Sequence, residues 1–176
     1  MQTHDPSRSA APSSRRIRNV ALATVLAATL LFAASEIRNI SVSPSTLAFT
    51  SSNPNATDTK QAILLFRIHA GKDKAWDVKV SASSATLVNC PLVPTSSITV
   101  QCASVGIVGG GNIGTGACAS QFSLSTTPTT TAAGITGDGD QDYTIPIDFI
   151  FADKWKYPGA TSACTLTATY TINAVN

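Results

Sequence analysis

Acid–base catalysis in this chain would have to be built around His69, the only histidine beyond residue 35. A hydrolytic triad needs such a base beside a nucleophile and oriented by a third group, and no Gly-x-Ser-x-Gly elbow occurs. His69 lies inside an apolar run and reads as a strand residue next to Gly71. Glycoside hydrolysis needs two carboxyl groups flanking one bond. Beyond residue 35 the one glutamate is Glu36, and Asp148 and Asp153, five apart on one strand, face opposite sides. These residues predict a protein that is not an enzyme.

Two glycine-bearing stretches invite ligand chemistry. Gly109-Gly110-Gly111-Asn112-Ile113-Gly114 matches a dinucleotide fingerprint in form. That fingerprint works only between a strand and a helix whose N-terminus meets the pyrophosphate. Here Gly116 and Cys118 follow, with no helix pattern, so the stretch reads as a flexible loop whose glycines accept positive φ. Asp138, Asp140 and Asp142 alternate along Asp138-Gly139-Asp140-Gln141-Asp142 and could converge on calcium. The EF-hand positions that want Gly and Glu hold Tyr143 and Phe149, so a solvated acidic turn is the competing reading. Trp76 leads an alternating strand and is expected in the core; Trp155, between Lys154 and Lys156, is the candidate for stacking on a sugar. Asn39-Ile40-Ser41 and Asn55-Ala56-Thr57 are glycosylation sequons for a host that uses them.

Charge organises the chain into two parts. It has 176 residues, 12% of them charged, a net charge of +2, and 43 serines and threonines. Four of its twelve basic residues fall in the first 18 positions; beyond residue 35 there are 8 basic and 9 acidic residues. A nucleic-acid binder would keep a basic stripe in its folded part, and none is visible. Arg15-Arg16-Ile17-Arg18, an uncharged run over residues 20–34 and then Ala33-Ala34-Ser35 give the layout of a secretory signal peptide over residues 1–35. Ser14-Arg15-Arg16 hints at the twin-arginine route, but Arg18 stands where that signal wants an apolar residue, which favours the general secretory route. On this reading the protein meets the membrane only during export, no cofactor is required, and its destination is the exterior or cell surface. The four cysteines, Cys90, Cys102, Cys118 and Cys164, agree with an oxidising compartment and lack metal-site spacing. Of three possible pairings, Cys90–Cys102 and Cys118–Cys164 are expected, the first closing a local hairpin around Pro91 and Pro94.

The elements that must position these residues are strands. No dozen residues keep helical apolar spacing, whereas period-2 alternation recurs. Strands are expected at residues 36–52 (Ile40 and Val42, then Leu47 and Phe49 after Pro44), 61–70, 76–81, 85–89, 97–104, 121–125, 143–152 and 164–174. Residues 61–70 are apolar on both faces, as in a central or covered strand. Turn clusters separate these runs, the longest being residues 126–142. The pattern predicts one domain over residues 36–176: an all-β, antiparallel, immunoglobulin-like β-sandwich of about eight or nine strands.

Two segments carry a family resemblance. Ile40-Ser41-Val42-Ser43-Pro44-Ser45-Thr46-Leu47-Ala48-Phe49, with Trp76-Asp77-Val78-Lys79-Val80-Ser81 further on, resembles the opening of bacterial secreted immunoglobulin-like domains. Asp153-Lys154-Trp155-Lys156-Tyr157-Pro158-Gly159 and then Cys164-Thr165-Leu166-Thr167-Ala168-Thr169-Tyr170-Thr171-Ile172 is similar to the closing strand of spore-coat-U-like and other pilin-type sandwiches. The tyrosine usual after that turn is replaced by Ala160 and Thr161. The resemblance implies a fibre, pilus or filament subunit whose partners are copies of itself, joined by strand donation. Residues 36–52 are then either the donor or the domain's own first strand. The alternative it leaves is a monomeric adhesion module that binds surface glycans.

Overall fold

The structure is a computed structural model that describes residues 36–50, 56–152, 154, 157 and 162–174. The expected signal peptide, Asn55, Asp153 and Trp155 lie outside the described residues. The described chain is an all-β sandwich with antiparallel sheets, and no helix in it is long and apolar enough to cross a membrane. It has fourteen strands rather than eight or nine: residues 36–52 and 164–174 each hold two, and strands also form at Cys90–Pro94, Gly106–Gly109, Thr115–Cys118 and Thr129–Ile135, where none is expected.

One sheet runs in the order β1 (Glu36–Ser43), β3 (Thr57–Ala70), β12 (Gly139–Ala152), β7 (Ile98–Cys102), β10 (Phe122–Ser123), with β8 (Gly106–Gly109) also on β12. The facing sheet is β14 (Ala168–Ala174), β4 (Ala75–Ala82), β11 (Thr129–Ile135), β9 (Thr115–Cys118). Two small pairs complete the sandwich: β2 (Leu47–Phe49) with β13 (Cys164–Leu166), and β5 (Thr86–Leu87) with β6 (Cys90–Pro94).

The long β3 and β12 strands are the frame, paired over fourteen residues each from Thr57↔Ala152 to Ala70↔Gly139. Their alternation sends Leu64, Phe66 and Ile68, and Tyr143, Ile145 and Phe149, into the core at 2% exposure or less. Each such side chain stabilises by roughly 1.5–3 kcal/mol relative to exposure. Trp76 joins them as expected, edge-on to Phe66 and Tyr143, whose rings stack at 4.9 Å. Pro146 is tolerated in the middle of β12 because of where it falls. β12 pairs with β8 through Thr144 and with β7 from Ile147, so Pro146 occupies the gap in which no ladder N–H is required. Its carbonyl still accepts a bond from the Ala103 amide at 2.9 Å.

Two expectations about the path of the chain are corrected here. Residues 126–142 are not one long loop: they contain β11 and the start of β12, paired on β4, β9 and β3. Thr- and Ala-rich sequence carries little apolar signal, yet Thr131 and Ala132 are buried. The closing run divides at Thr167, β13 pairing with β2 and β14 with β4.

The disulfides are Cys90–Cys164 and Cys102–Cys118, each with Cα atoms 5.3 Å apart, instead of the expected pairing. The segment before Cys90 is tied to β13 by two backbone bonds between Val88 and Thr165, which brings Cys90 to Cys164. Cys102 ends β7 in one sheet and Cys118 ends β9 in the other, so the second bridge joins the two sheets. Two bridges fit an oxidising compartment.

Candidate functional site

The outer face of the larger sheet carries most of its charges at one end, and strand register puts them in rungs. Across β1, β3 and β12, Glu36, His69 and Asp140 share one rung, and Arg38, Arg67 and Asp142 the next. Further along, Gln61 opposes Asp148. Arg67 grips Asp142 with two bonds, Nε to Oδ1 at 2.7 Å and Nη2 to Oδ2 at 2.8 Å. That bidentate hydrogen bond holds the Asp142 carboxyl below its usual range and raises Arg67. His69 Nδ1 lies 2.8 Å from Asp140 Oδ1, and Gln61 Nε2 donates to Asp148 Oδ1 at 2.9 Å. β3 and β12 are therefore locked in register on their outer face as well as through the core.

The three aspartates considered for calcium are not brought together. Asp140 and Asp142 each face a basic partner on β3, and Asp138 accepts from Asn112 Nδ2 at 3.2 Å. Among the described residues no cluster of three acidic, histidine or cysteine side chains is placed to hold a metal ion. Their spacing of two residues, mirrored by Arg67 and His69, is the signature of one strand face meeting another. That signal was readable in the sequence. His69 has its acid, but among the described residues no hydroxyl or thiol side chain is hydrogen-bonded to it.

The glycine-rich stretch forms a packed turn between β8 and β9. Only Gly111 in it uses a positive φ, +76°. Elsewhere glycine serves close approach: a Cβ on Gly137, in the β11–β12 turn, would lie 1.7 Å from the Asn112 carbonyl oxygen. The buried Gln141 braces the two turns. Its Oε1 accepts from the Gly137 amide at 2.9 Å, the Gly114 amide at 3.3 Å and the Tyr143 hydroxyl at 3.1 Å, while its Nε2 donates to the Asn112 carbonyl at 2.9 Å. Burial pushes the Tyr143 phenol up to about 12. Sequence reading missed Gln141, since a lone glutamine between aspartates gives no sign of burial.

β1 stands apart from this frame. Its register on β3 shifts between Arg38 and Ser41, where Asn39 adopts φ +54°. Only Ile37 and Val42 pack partly against the core, and Ile40 is 58% exposed. Its ion pair is internal: Arg38 donates to Glu36 two residues away, while across the rung Arg38 faces the like-charged Arg67. That hydrogen bond lowers the Glu36 carboxyl and raises Arg38. β2 is different, with Leu47 and Phe49 buried at 3% and 0%. The run 36–52, read as one segment from sequence, thus holds a loosely held edge strand, Glu36–Ser43, and a core strand, Leu47–Phe49, divided at Pro44. Beside the β1 irregularity lies an open depression of about 300 Å³, lined by Asn39, Ser41, Leu65, Asp142 and Thr144 among others. The first sequon therefore sits on an exposed edge, whereas Trp155, the expected sugar-stacking residue, is outside the described residues. Comparison with protein-family models, with curated proteins and with solved structures gave no match.

Proposed function

We propose that this chain is an exported, non-enzymatic structural subunit that assembles with copies of itself at the cell surface, and that β1 is the strand exchanged between neighbours. The observation that carries this reading is how little of β1 enters the core, although it pairs with β3 on both sides of its register shift. It contributes two half-buried apolar side chains, and it keeps its one ion pair to itself. Its departure would open the edge of β3, whose inward row includes the buried Leu64 and Ile68. An open edge with an apolar row beneath it is what a donated strand from a neighbour covers. The exchanged piece is residues 36–43 alone, because moving β2 would also pull Phe49 off Phe151, 5.8 Å away between ring centroids. Two disulfides and the export-type N-terminus agree with an oxidising, exterior location.

Electron microscopy of the exported protein tests this. Filaments are expected, to be lost on deletion of residues 36–43 and blocked by excess peptide of that sequence. A compact monomer whose state the deletion does not alter overturns it. The depression beside β1 supports a second reading, a glycan-binding module. Its lining includes Asn39 and Ser41 of β1, so glycan-array binding by a monomer, lost with residues 36–43, would favour that reading instead.

A further inference from the structure

A further margin of the sandwich is β14, at one edge of the four-stranded sheet, and its chemistry is unlike that of β1. Among the described residues β14 pairs only with β4, in unbroken register from Ala168↔Ala82 to Ala174↔Trp76. Natural edge strands are usually blunted by a charge, a proline or a bulge. β14, Ala168-Thr169-Tyr170-Thr171-Ile172-Asn173-Ala174, has none of these. Its outward row is Thr169, Thr171 and Asn173, all exposed, and its inward row includes Tyr170 and Ile172, which pack partly against the core. Burial raises the Tyr170 phenol, so that row stays uncharged across the ordinary pH range.

We infer that β14 pairs antiparallel with the β14 of a second copy, about a two-fold axis at Thr171. The occupant follows from the strand's own pattern. Read backwards against itself about Thr171, it sets Ala168 opposite Ala174, Thr169 opposite Asn173, Tyr170 opposite Ile172, and Thr171 opposite itself. Every pair is of matching size and face: small with small, hydroxyl with amide or hydroxyl, aromatic with β-branched. No charge meets a like charge anywhere in the ladder. An isologous contact requires this self-complementarity. β1 offers a poorer partner for the same edge, because its register is broken at Asn39 and it brings Arg38 and Glu36. The pairing would join the two four-stranded sheets into one of eight strands. It uses no part of β1 and stands or falls separately from strand exchange.

Charge reversal at the axis tests the inference on the full exported chain. Within the chain residue 171 faces Lys79 of β4, which repels the lysine of Thr171→Lys and attracts the glutamate of Thr171→Glu. Only a contact of residue 171 with its own copy penalises both, and each is then expected to weaken dimerisation by roughly tenfold or more. Their equimolar mixture is expected to restore dimers in sedimentation velocity, and Thr171→Ser to retain them. Near-UV circular dichroism checks that the lysine and glutamate variants remain folded. Hydrogen exchange at the alternate amides of residues 168–174 that point away from β4 should be slow and concentration-dependent in the wild type and fast in each charged variant. Deletion of residues 36–43 should leave that protection in place even where it abolishes filaments. Concentration-independent exchange at those edge-facing amides, or a mixture of the two charged variants that does not dimerise, overturns the inference.

Discussion

β1 and β2 are neighbours in sequence, three residues apart, and opposites in physical commitment. Both are short alternating strands. β2 buries Leu47 and Phe49 and pairs with β13, whose first residue, Cys164, stands opposite Phe49 and is bridged to Cys90. β1 is exposed along most of its length, carries a register shift and touches the core through Ile37 and Val42. Alternation alone therefore does not measure how firmly a strand is held. What separates them is which partner lies beneath and whether a covalent link fixes that partner.

The sharpest break in this comparison is the Cys90–Cys164 bridge. It closes a separation of 74 residues, and in the chain-entropy account its removal costs about 4–5 kcal/mol. Cys90→Ser with Cys164→Ser should lower the unfolding free energy obtained from urea denaturation by that margin. The shorter Cys102–Cys118 link, separation 16, should cost about 3 kcal/mol. If the shorter link proved the more important, the view that β2 depends on a bridged β13 would fail.

Point substitutions on the two strands come next. Phe49→Ala empties a fully buried site against Phe151 and should cost about 3–5 kcal/mol. Ile37→Ala on β1, only partly buried, should cost about 1 kcal/mol. Ile40→Ala, at 58% exposure, should stay within about 0.5 kcal/mol. Equal losses at Phe49 and Ile37, measured by chemical denaturation, would show that β1 is as firmly built in as β2.

Much of the frame was legible in the sequence. Period-2 alternation located the strands opened by Trp76 and Tyr143, because each buries one apolar row. The strand at residues 61–70 showed instead as a run apolar on both faces, of which Leu64, Phe66 and Ile68 are buried while Ile63 and Leu65 stay exposed. β11 was hidden because threonine and alanine pack into a sheet without an apolar signature. The cysteine pairing was hidden for another reason: it depends on which strands meet across the sandwich, and Val88 reaches Thr165 only in the fold. The division of residues 36–52 had a sequence mark in Pro44, but no sequence property said which half would be buried. The outer-face rungs were present as alternate acids at Asp140 and Asp142 and alternate bases at Arg67 and His69, a pattern that two strands share and a cation-binding loop does not need.

The smallest expected effect concerns those rungs, where β3 and β12 lock to each other and β1 does not. Arg67 holds the Asp142 carboxyl below its ordinary value of about 3.9. A carboxyl whose value is lower in the folded state than in the unfolded one contributes stability above the unfolded value, and that contribution is lost as pH falls through the folded one. Acidification below about pH 4 should therefore weaken the β3–β12 rung, modestly, since the pair is exposed and screened by salt. The Glu36 carboxyl is also lowered, first by the hydrogen bond from Arg38 of the same strand and less by His69 across the rung on β3. Its protonation should disturb β1 itself more than it loosens β1 from β3. Carboxyl-carbon NMR titration separates the two. Arg67→Gln should return the Asp142 midpoint to the ordinary range and leave Glu36 low, and Arg38→Gln should do the reverse. If Arg67→Gln instead raised the Glu36 midpoint as strongly as that of Asp142, the two rungs would be one network, and β1 would be tied electrostatically to the frame after all.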